Sequence, residues 1–211
     1  PLYHFLPGTL TYSVGGFGCN MGCLHCQNYM ISQEFDKISD RFNILPETIV
    51  ENAINQGCKS IAWTYNEPTI HLPFNKKTSL LAKRKNLKIV YVSNGYMSDQ
   101  SLSEILNFVD AFNIDLKSMS QNFYKKICKA DLNIVLNNLK RIYDADKHLE
   151  ITNLLINGYN DSTEEITKLA NFIADNLGCD IPLHFSRAFP YYKLNDISPT
   201  AEDKLFEAKR I

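Results

Sequence analysis

Residues 59–93 read KSIAWTYNEPTIHLPFNKKTSLLAKRKNLKIVYVS, and this stretch decides the fold class. Its ends, Lys59–Thr64 (KSIAWT) and Lys88–Ser93 (KIVYVS), are short apolar runs rich in β-branched and aromatic residues. That composition suits strands covered on both faces. Between them, Phe74–Asn86 is helix-like and ends in the basic run Lys83-Arg84-Lys85. Solvated charge at a helix C-terminus explains that run better than a phosphate or nucleic-acid patch does. A strand, a helix and a second buried strand of these lengths make a crossover between parallel neighbours.

The same unit repeats outward. Upstream, Thr9–Val14 reads as a strand running into Gly15-Gly16-Phe17-Gly18. Pro46–Gln56 is an amphipathic helix with Pro at its start, acids in its first turn and Gly57 as its stop. Downstream come helix Ser98–Phe108, strand Ala111–Asp115, helix Leu132–Asp144, strand Leu149–Ile156, helix Ser162–Leu177 and strand Ile181–Ser186. A last helix starts at Thr200, whose hydroxyl is the expected cap just past Pro199. No linker, low-complexity tract or interior break interrupts the series. The reading is therefore one α/β domain over residues 1–211, built from six β/α units. Six units are too few for a closed eight-stranded barrel, so an open, partial (β/α)6 TIM-like barrel with parallel strands is expected.

Composition narrows the function classes. The 211 residues carry 22 basic and 23 acidic side chains for a net charge of −1, and 45% are apolar. Such a chain folds around a core and lacks the basic surplus of a dedicated nucleic-acid or anionic-membrane binder. No run approaches about 18 apolar residues, so no membrane span is expected. Pro1–Leu10 also lacks the charged start and apolar stretch of a signal peptide.

Half of the six cysteines are bunched at Cys19, Cys23 and Cys26, while Cys58, Cys128 and Cys179 stand alone. Disulfide scaffolds are usually shorter and spread their cysteines along the chain. A reducing, cytoplasmic setting is expected, with the bunched thiols as metal ligands and the single ones as structural thiols. The segment Cys19-Asn-Met-Gly-Cys23-Leu-His-Cys26 is a C-x₃-C-x₂-C run. Three soft thiolates on a glycine-containing loop suit one face of a cubane iron–sulfur cluster, with one iron left open to a chelating ligand. Gly15, Gly16, Gly18 and Gly22 would let the backbone approach that cluster. The competing reading is zinc, with His25 or a distant cysteine as fourth ligand, although no second C-x₂-C knuckle is present.

The other unusual residues also fall at the carboxyl ends of strands, where parallel α/β architectures build their sites. They are Tyr65-Asn66-Glu67-Pro68, Ser93-Asn94-Gly95, Asp115-Leu116-Lys117, Asn157–Asp161 and His184–Arg187. Each has a plainer reading. Glu67 suits a helix start, Ser-Asn-Gly a common turn, and Asp115 with Lys117 an ion pair. Asp161 or Ser162 suits a helix cap, and His184 a satisfied core histidine. Arg187 would face substrate or bridge to an acid.

The C-x₃-C-x₂-C run after the first strand resembles the signature of the radical S-adenosylmethionine (SAM) superfamily. So do the segments CLHCQNYMISQ, SIAWTYNEPTI, VYVSNGYM, NIDLKSMSQNFYKKIC, TNLLINGYNDS and PLHFSR. Within it the chain is most similar to AmmeMemoRadiSam-system radical enzymes, and then to pyruvate formate-lyase-activating enzymes. The resemblance runs over nearly the whole chain.

It implies a radical SAM-type partial barrel in which Cys19, Cys23 and Cys26 hold a [4Fe–4S] cluster. The methionine amine and carboxylate of S-adenosylmethionine would chelate the fourth iron. An external flavodoxin- or ferredoxin-type donor would reduce the cluster. Reductive cleavage would then give a 5′-deoxyadenosyl radical that abstracts a substrate hydrogen atom.

Asn66 and Glu67 would lie at the methionine ammonium, and Ser93 and Asn94 near the ribose or carboxylate. Asp115, Lys117 and His184 would stand beside the cofactor. His25 replaces the aromatic residue common before the last cysteine, and Asn157–Asp161 would lie near adenine. The tail Tyr191-Tyr192-Lys193-Leu194 before Pro199 fits the same families, whose longer members carry a further strand, so a chain trimmed at its ends is implied.

Two substrate classes stay open: glycyl-radical activation of a partner protein, and modification of a smaller molecule beside Memo-like and AMMECR-like partners. A non-catalytic iron–sulfur or zinc module is the alternative from another class. A transfer-RNA-modifying radical enzyme is disfavoured by the charge.

Overall fold

The computed structural model describes residues 2–38 and 43–211. Among these, six parallel strands form one open sheet in the order β1-β2-β3-β4-β5-β6. They are β1 (Thr11–Val14), β2 (Ser60–Trp63), β3 (Lys88–Ser93), β4 (Ala111–Asp115), β5 (His148–Leu155) and β6 (Leu183–Arg187). The main crossover helices are α1 (Pro46–Asn55), α2 (Leu72–Arg84), α3 (Asp99–Ile105), α4 (Leu132–Asp144) and α5 (Thr163–Asn176), and α6 (Glu202–Arg210) follows β6. Each crossover advances by one strand in the same direction. That is the winding of a barrel, here left open between β6 and β1. No helix of the described residues is long and apolar enough to cross a membrane.

Helix α4 shows how local sequence fixes an element. Asp131 caps it by accepting from the Asn133 N–H at 2.8 Å, and Leu132, Val135, Leu139 and Ile142 recur on one buried face. They join the outer residues of the sheet, among them Ile89, Tyr91, Phe112, Ile114 and Ile151, in the principal core. Each such side chain contributes about 1.5–3 kcal/mol on burial. Thr200 departs from its expected capping role. Ala201 precedes α6 with no side-chain cap, and the Thr200 hydroxyl instead donates to the Leu155 carbonyl of β5 at 2.5 Å. Thr200 is buried, so its hydroxyl needs an acceptor inside the protein, and the Leu155 carbonyl, which also accepts from the Ala188 N–H at 3.2 Å, supplies it.

In-register pairs share a face, so Ala62–Val90, Val90–Ala111 and Thr152–His184 mark the concave side. Leu2 and Phe5, ahead of β1, pack there against Ala62, Val90 and Ala111. They fill the barrel from the end opposite the strand carboxyl termini. The both-faces expectation for β2 and β3 holds apart from Ser60, Lys88 and Ser93 at their ends, whereas the inward positions turn polar from β4 onward. Concave positions there include Asn113, Glu150, Thr152, His184 and Ser186.

Candidate active site at the carboxyl edge of the sheet

The loop leaving β1 is pinned from two sides. Asn66, just past β2, accepts from the Gly16 N–H at 3.0 Å and donates to the Gly18 carbonyl at 2.7 Å. From the other side, the Gly22 and Leu24 N–H groups donate to the carbonyls of Cys128 and Ile127, both at 2.9 Å. At Gly16 a Cβ would come within 2.7 Å of the His71 ring, whose Nε2 lies 2.9 Å from the Phe17 carbonyl. The bare backbone of Gly16 thus makes room for His71, where the sequence suggested room for a cluster.

The pinned loop brings Cys19, Cys23 and Cys26 to one wall of a cavity of about 360 Å³. Asn66, Glu67, Ser93, Asn94, Asp115 and Lys117 line it as well, from the ends of β2, β3 and β4. Burial pushes the Cys19 thiol up to about 12 and raises the Cys26 thiol. The Cys23 thiol is raised by its hydrogen bond with the Cys128 thiol and by burial. Lys117 acts in the opposite direction on all three, because its ammonium favours thiolate. Burial works against that ammonium, but Asp115, with Oδ2 at 3.1 Å, and the thiols around it keep it firmly protonated.

The donor set is soft and cation-backed, which suits a thiolate-bound metal centre whose net charge is negative. His25 lines the same cavity, and its Nδ1 is buried without a partner. Burial and Lys117 drive its pKa down to about 3, so the imidazole is neutral.

The remaining edge residues already hold one another. Glu67 is buried and accepts from the Thr69 N–H at 3.0 Å and its hydroxyl at 2.5 Å, from the Ser93 hydroxyl at 3.0 Å and from the Asn94 N–H at 2.9 Å. It caps the turn Pro68–His71, the plainer of its two readings, and ties the end of β2 to that of β3. Burial raises its pKa despite these donors. Asn94 donates to Asn20 at 2.8 Å and toward the Cys19 sulfur at 3.6 Å. Asn160 donates to the carbonyls of Lys117 at 2.7 Å and Leu154 at 2.9 Å, clasping the loop after β5 to the end of β4. Ser162 is the cap of α5.

Two placements depart from the sequence reading, and a third settles between its two alternatives. Cys128, distant along the chain, is buried with its thiol against Cys23, so a fourth cysteine does stand nearby. His184 is absent from the cavity wall, and its Nε2 lies 2.7 Å from Glu150 on the concave face of β5. Arg187 turns away to Glu202 at 2.9 Å and the Thr200 carbonyl at 2.8 Å, the acid bridge of its two readings. Thr152 and Leu154 line the cavity and escaped the sequence reading, while Ser186, within the segment His184–Arg187, lines it too. The signal for them is the alternation along β5 and β6, which faces every second side chain inward.

The sequence model of the Radical SAM superfamily matches residues 13–173. The chain belongs to the radical SAM superfamily. Membership implies S-adenosylmethionine binding and an iron–sulfur cluster. An uncharacterized protein of Methanocaldococcus jannaschii is 42% identical over 212 residues, covering 100% of this chain and 62% of that one. This radical SAM chain thus spans under two thirds of that curated relative. The pyruvate formate-lyase-activating enzyme of Staphylococcus aureus is 24% identical, over 79% of this chain and 70% of its own. In fold, SuiB of Streptococcus suis, solved bound to S-adenosylmethionine, aligns over 96% of this chain and 46% of its own, with TM-score 0.74 and 13% identity.

Proposed function

We propose that residues 1–211 form one radical SAM domain of an activating-enzyme-like oxidoreductase, with a [4Fe–4S] cluster held by Cys19, Cys23 and Cys26. The observation that carries this reading is the convergence of those three thiols on one cavity, in a chain of this superfamily. When bound, cluster and S-adenosylmethionine supply a 5′-deoxyadenosyl radical that abstracts a substrate hydrogen atom.

The chain's own residues bind and position. Lys117, steadied by Asp115, offsets negative charge at the cysteines, and the Asn94 amide donates toward the Cys19 sulfur. The buried Glu67 carboxylate presents an acceptor to the cofactor ammonium, while Asn66 fixes the cysteine loop beside it. Ser93 and Asn94 supply polar contacts to the ribose or carboxylate, and the unpartnered His25 Nδ1 offers a hydrogen-bonding nitrogen to the nucleoside. A flavodoxin- or ferredoxin-type protein would deliver the electron in the cytoplasm. The activating enzymes among the relatives favour glycyl-radical activation of a partner protein as the reaction served. Modification of a smaller molecule beside Memo-like or AMMECR-like proteins is the competing outcome.

Anaerobic reconstitution with iron and sulfide, followed by reduction in the presence of S-adenosylmethionine, should release 5′-deoxyadenosine. Cys19→Ala, Cys23→Ala and Cys26→Ala should each lose the cluster. Cys128→Ala should keep it, because Cys128 lies behind Cys23 and off the cavity wall. A fully loaded, reduced protein that yields no deoxyadenosine overturns the proposal.

A further inference from the structure

Below the cavity, toward the end filled by Leu2 and Phe5, one carboxylate gathers an unusual number of nitrogen donors. Glu150 of β5 is fully buried, with 0% of its side chain exposed. Its Oε2 lies 2.7 Å from His184 Nε2 and 3.5 Å from His4 Nδ1, and its Oε1 lies 2.9 Å from His148 Nε2. The Tyr3 and His4 N–H groups donate to the same carboxylate at 3.1 and 2.9 Å. Three chain segments therefore meet at one acid, and none of these groups has a part in the proposed radical chemistry.

A buried carboxylate needs one compensating positive charge and hydrogen bonds for its remaining lone pairs. Two backbone donors and one histidinium would meet that need. Here three imidazoles converge, more basic nitrogen than an ion pair uses. Donor atoms of His4, Glu150 and His184 all lie within 4.8 Å of one another. Tetrahedral zinc, with bonds of about 2.0–2.1 Å to nitrogen and oxygen, holds its ligand atoms about 3.3 Å apart. The 2.7 and 3.5 Å separations straddle that spacing, so small side-chain movements would admit an ion. The supports that metal ligands require are in place as well. Backbone N–H groups hold the carboxylate, and His148 orients its second oxygen.

We propose that His4, Glu150 and His184 form a binding site for one divalent transition-metal ion of the zinc class, with His148 as a positioning residue. The ion joins the N-terminal segment to β5 and β6 and closes the base of the open barrel. Three protein ligands leave one position for water, and His4, 57% exposed, stands on the solvent side.

The test uses cluster-loaded protein equilibrated with one equivalent of Zn²⁺ under anaerobic conditions and then passed over a desalting column. The expected result is one zinc per chain beyond the cluster iron, with a rise in melting temperature that EDTA reverses. Zinc-edge X-ray absorption should show nitrogen and oxygen neighbours near 2.0 Å and no sulfur near 2.3 Å, which separates this site from the cysteines. His4→Ala, whose side chain lies outside the core, should weaken zinc binding at least tenfold, as should His184→Ala. Absence of retained zinc, sulfur in its coordination shell, or unchanged affinity in His4→Ala would each overturn the proposal. His4→Ala alone decides if His184→Ala fails to fold.

Discussion

Replacing Glu67 by Gln tests whether the carboxyl edge of the sheet is organised by a carboxylate. The two backbone donors reach different oxygens, Thr69 N–H on Oε1 and Asn94 N–H on Oε2. The Ser93 hydroxyl reaches both, at 3.0 and 3.1 Å. Glutamine offers one acceptor oxygen, and its NH₂ must then face either the Thr69 or the Asn94 N–H. One buried backbone donor loses its partner, which costs about 1–3 kcal/mol. The surviving bonds lose their charge assistance, a further cost of about 1 kcal/mol. Burial disfavours the charged form of Glu67, and the neutral amide recovers part of that penalty.

The net expectation is a loss of about 2 kcal/mol, or roughly 4–8 °C in melting temperature for a chain of this size. Urea unfolding of the cluster-free, reduced protein measures it without involving any cofactor. A cycle with Ser93→Ala should also show coupling of at least about 0.5 kcal/mol, since the two side chains share bonds. A Glu67→Gln variant within about 0.5 kcal/mol of wild type, or strictly additive with Ser93→Ala, would show that the carboxylate does not organise this edge.

Two more outcomes follow from the core beneath that edge. Gly95 has φ +71°, and a Cβ there would sit 2.9 Å from Ile114 Cγ2 and 3.1 Å from Val135 Cγ1. Gly95→Ala should therefore lose about 2–4 kcal/mol from left-handed strain plus overpacking. Adding Val135→Ala should cost less than it does alone, and full additivity in denaturation would show that the steric account is wrong. Tyr91 is buried, and burial, against a weak hydrogen bond from Asn75 at 3.4 Å, pushes its hydroxyl pKa above the ordinary value. Above pH 10 the unfolded chain releases that proton while the folded chain keeps it, so stability falls as pH rises, by up to about 1.4 kcal/mol per unit. Tyr91→Phe should flatten that alkaline decline in a urea-midpoint series, and an unchanged slope would count against it.

Much of this was readable along the chain because it is local. Ser98, Asp131 and Ser162 cap their helices from adjacent residues, and the apolar runs of β2 and β3 mark themselves. The cysteine spacing, too, is a property of eight consecutive residues. What the sequence hides is pairing between distant inward positions. Cys128 looks like any buried thiol until the fold sets its turn against residues 22–24. His184 looks like a cofactor residue by its place near a strand end, yet the registry of β5 with β6 turns its ring to Glu150. Thr200 has the identity of a cap and loses that role to a carbonyl 45 positions earlier.

These hidden pairings follow a rule that assigns the barrel interior two chemistries. On β5 the inward series is His148, Glu150, Thr152, Leu154, and the chain climbs about 6.6 Å between successive members of it. Thr152 and Leu154 reach the cavity that Cys19, Cys23 and Cys26 face from above, whereas His148 and Glu150 sit a step lower, where His4 meets them and where the ring of His184, itself in register with Thr152, reaches Glu150. Soft sulfur donors on the loop after β1, with the Lys117 cation, thus face the upper end of the inner side of β5, and nitrogen and oxygen donors gather at its lower end. Thr152 marks the boundary, and its hydroxyl donates to Asn113 at 2.8 Å. An iron–sulfur centre selects thiolates and leaves imidazole and carboxylate largely alone, while a borderline ion without access to the cysteines takes the lower set. The short climb between the two ends is enough for each to be loaded or emptied without sharing a ligand. Metal analysis of the lower-end variants can therefore be read separately from cluster content.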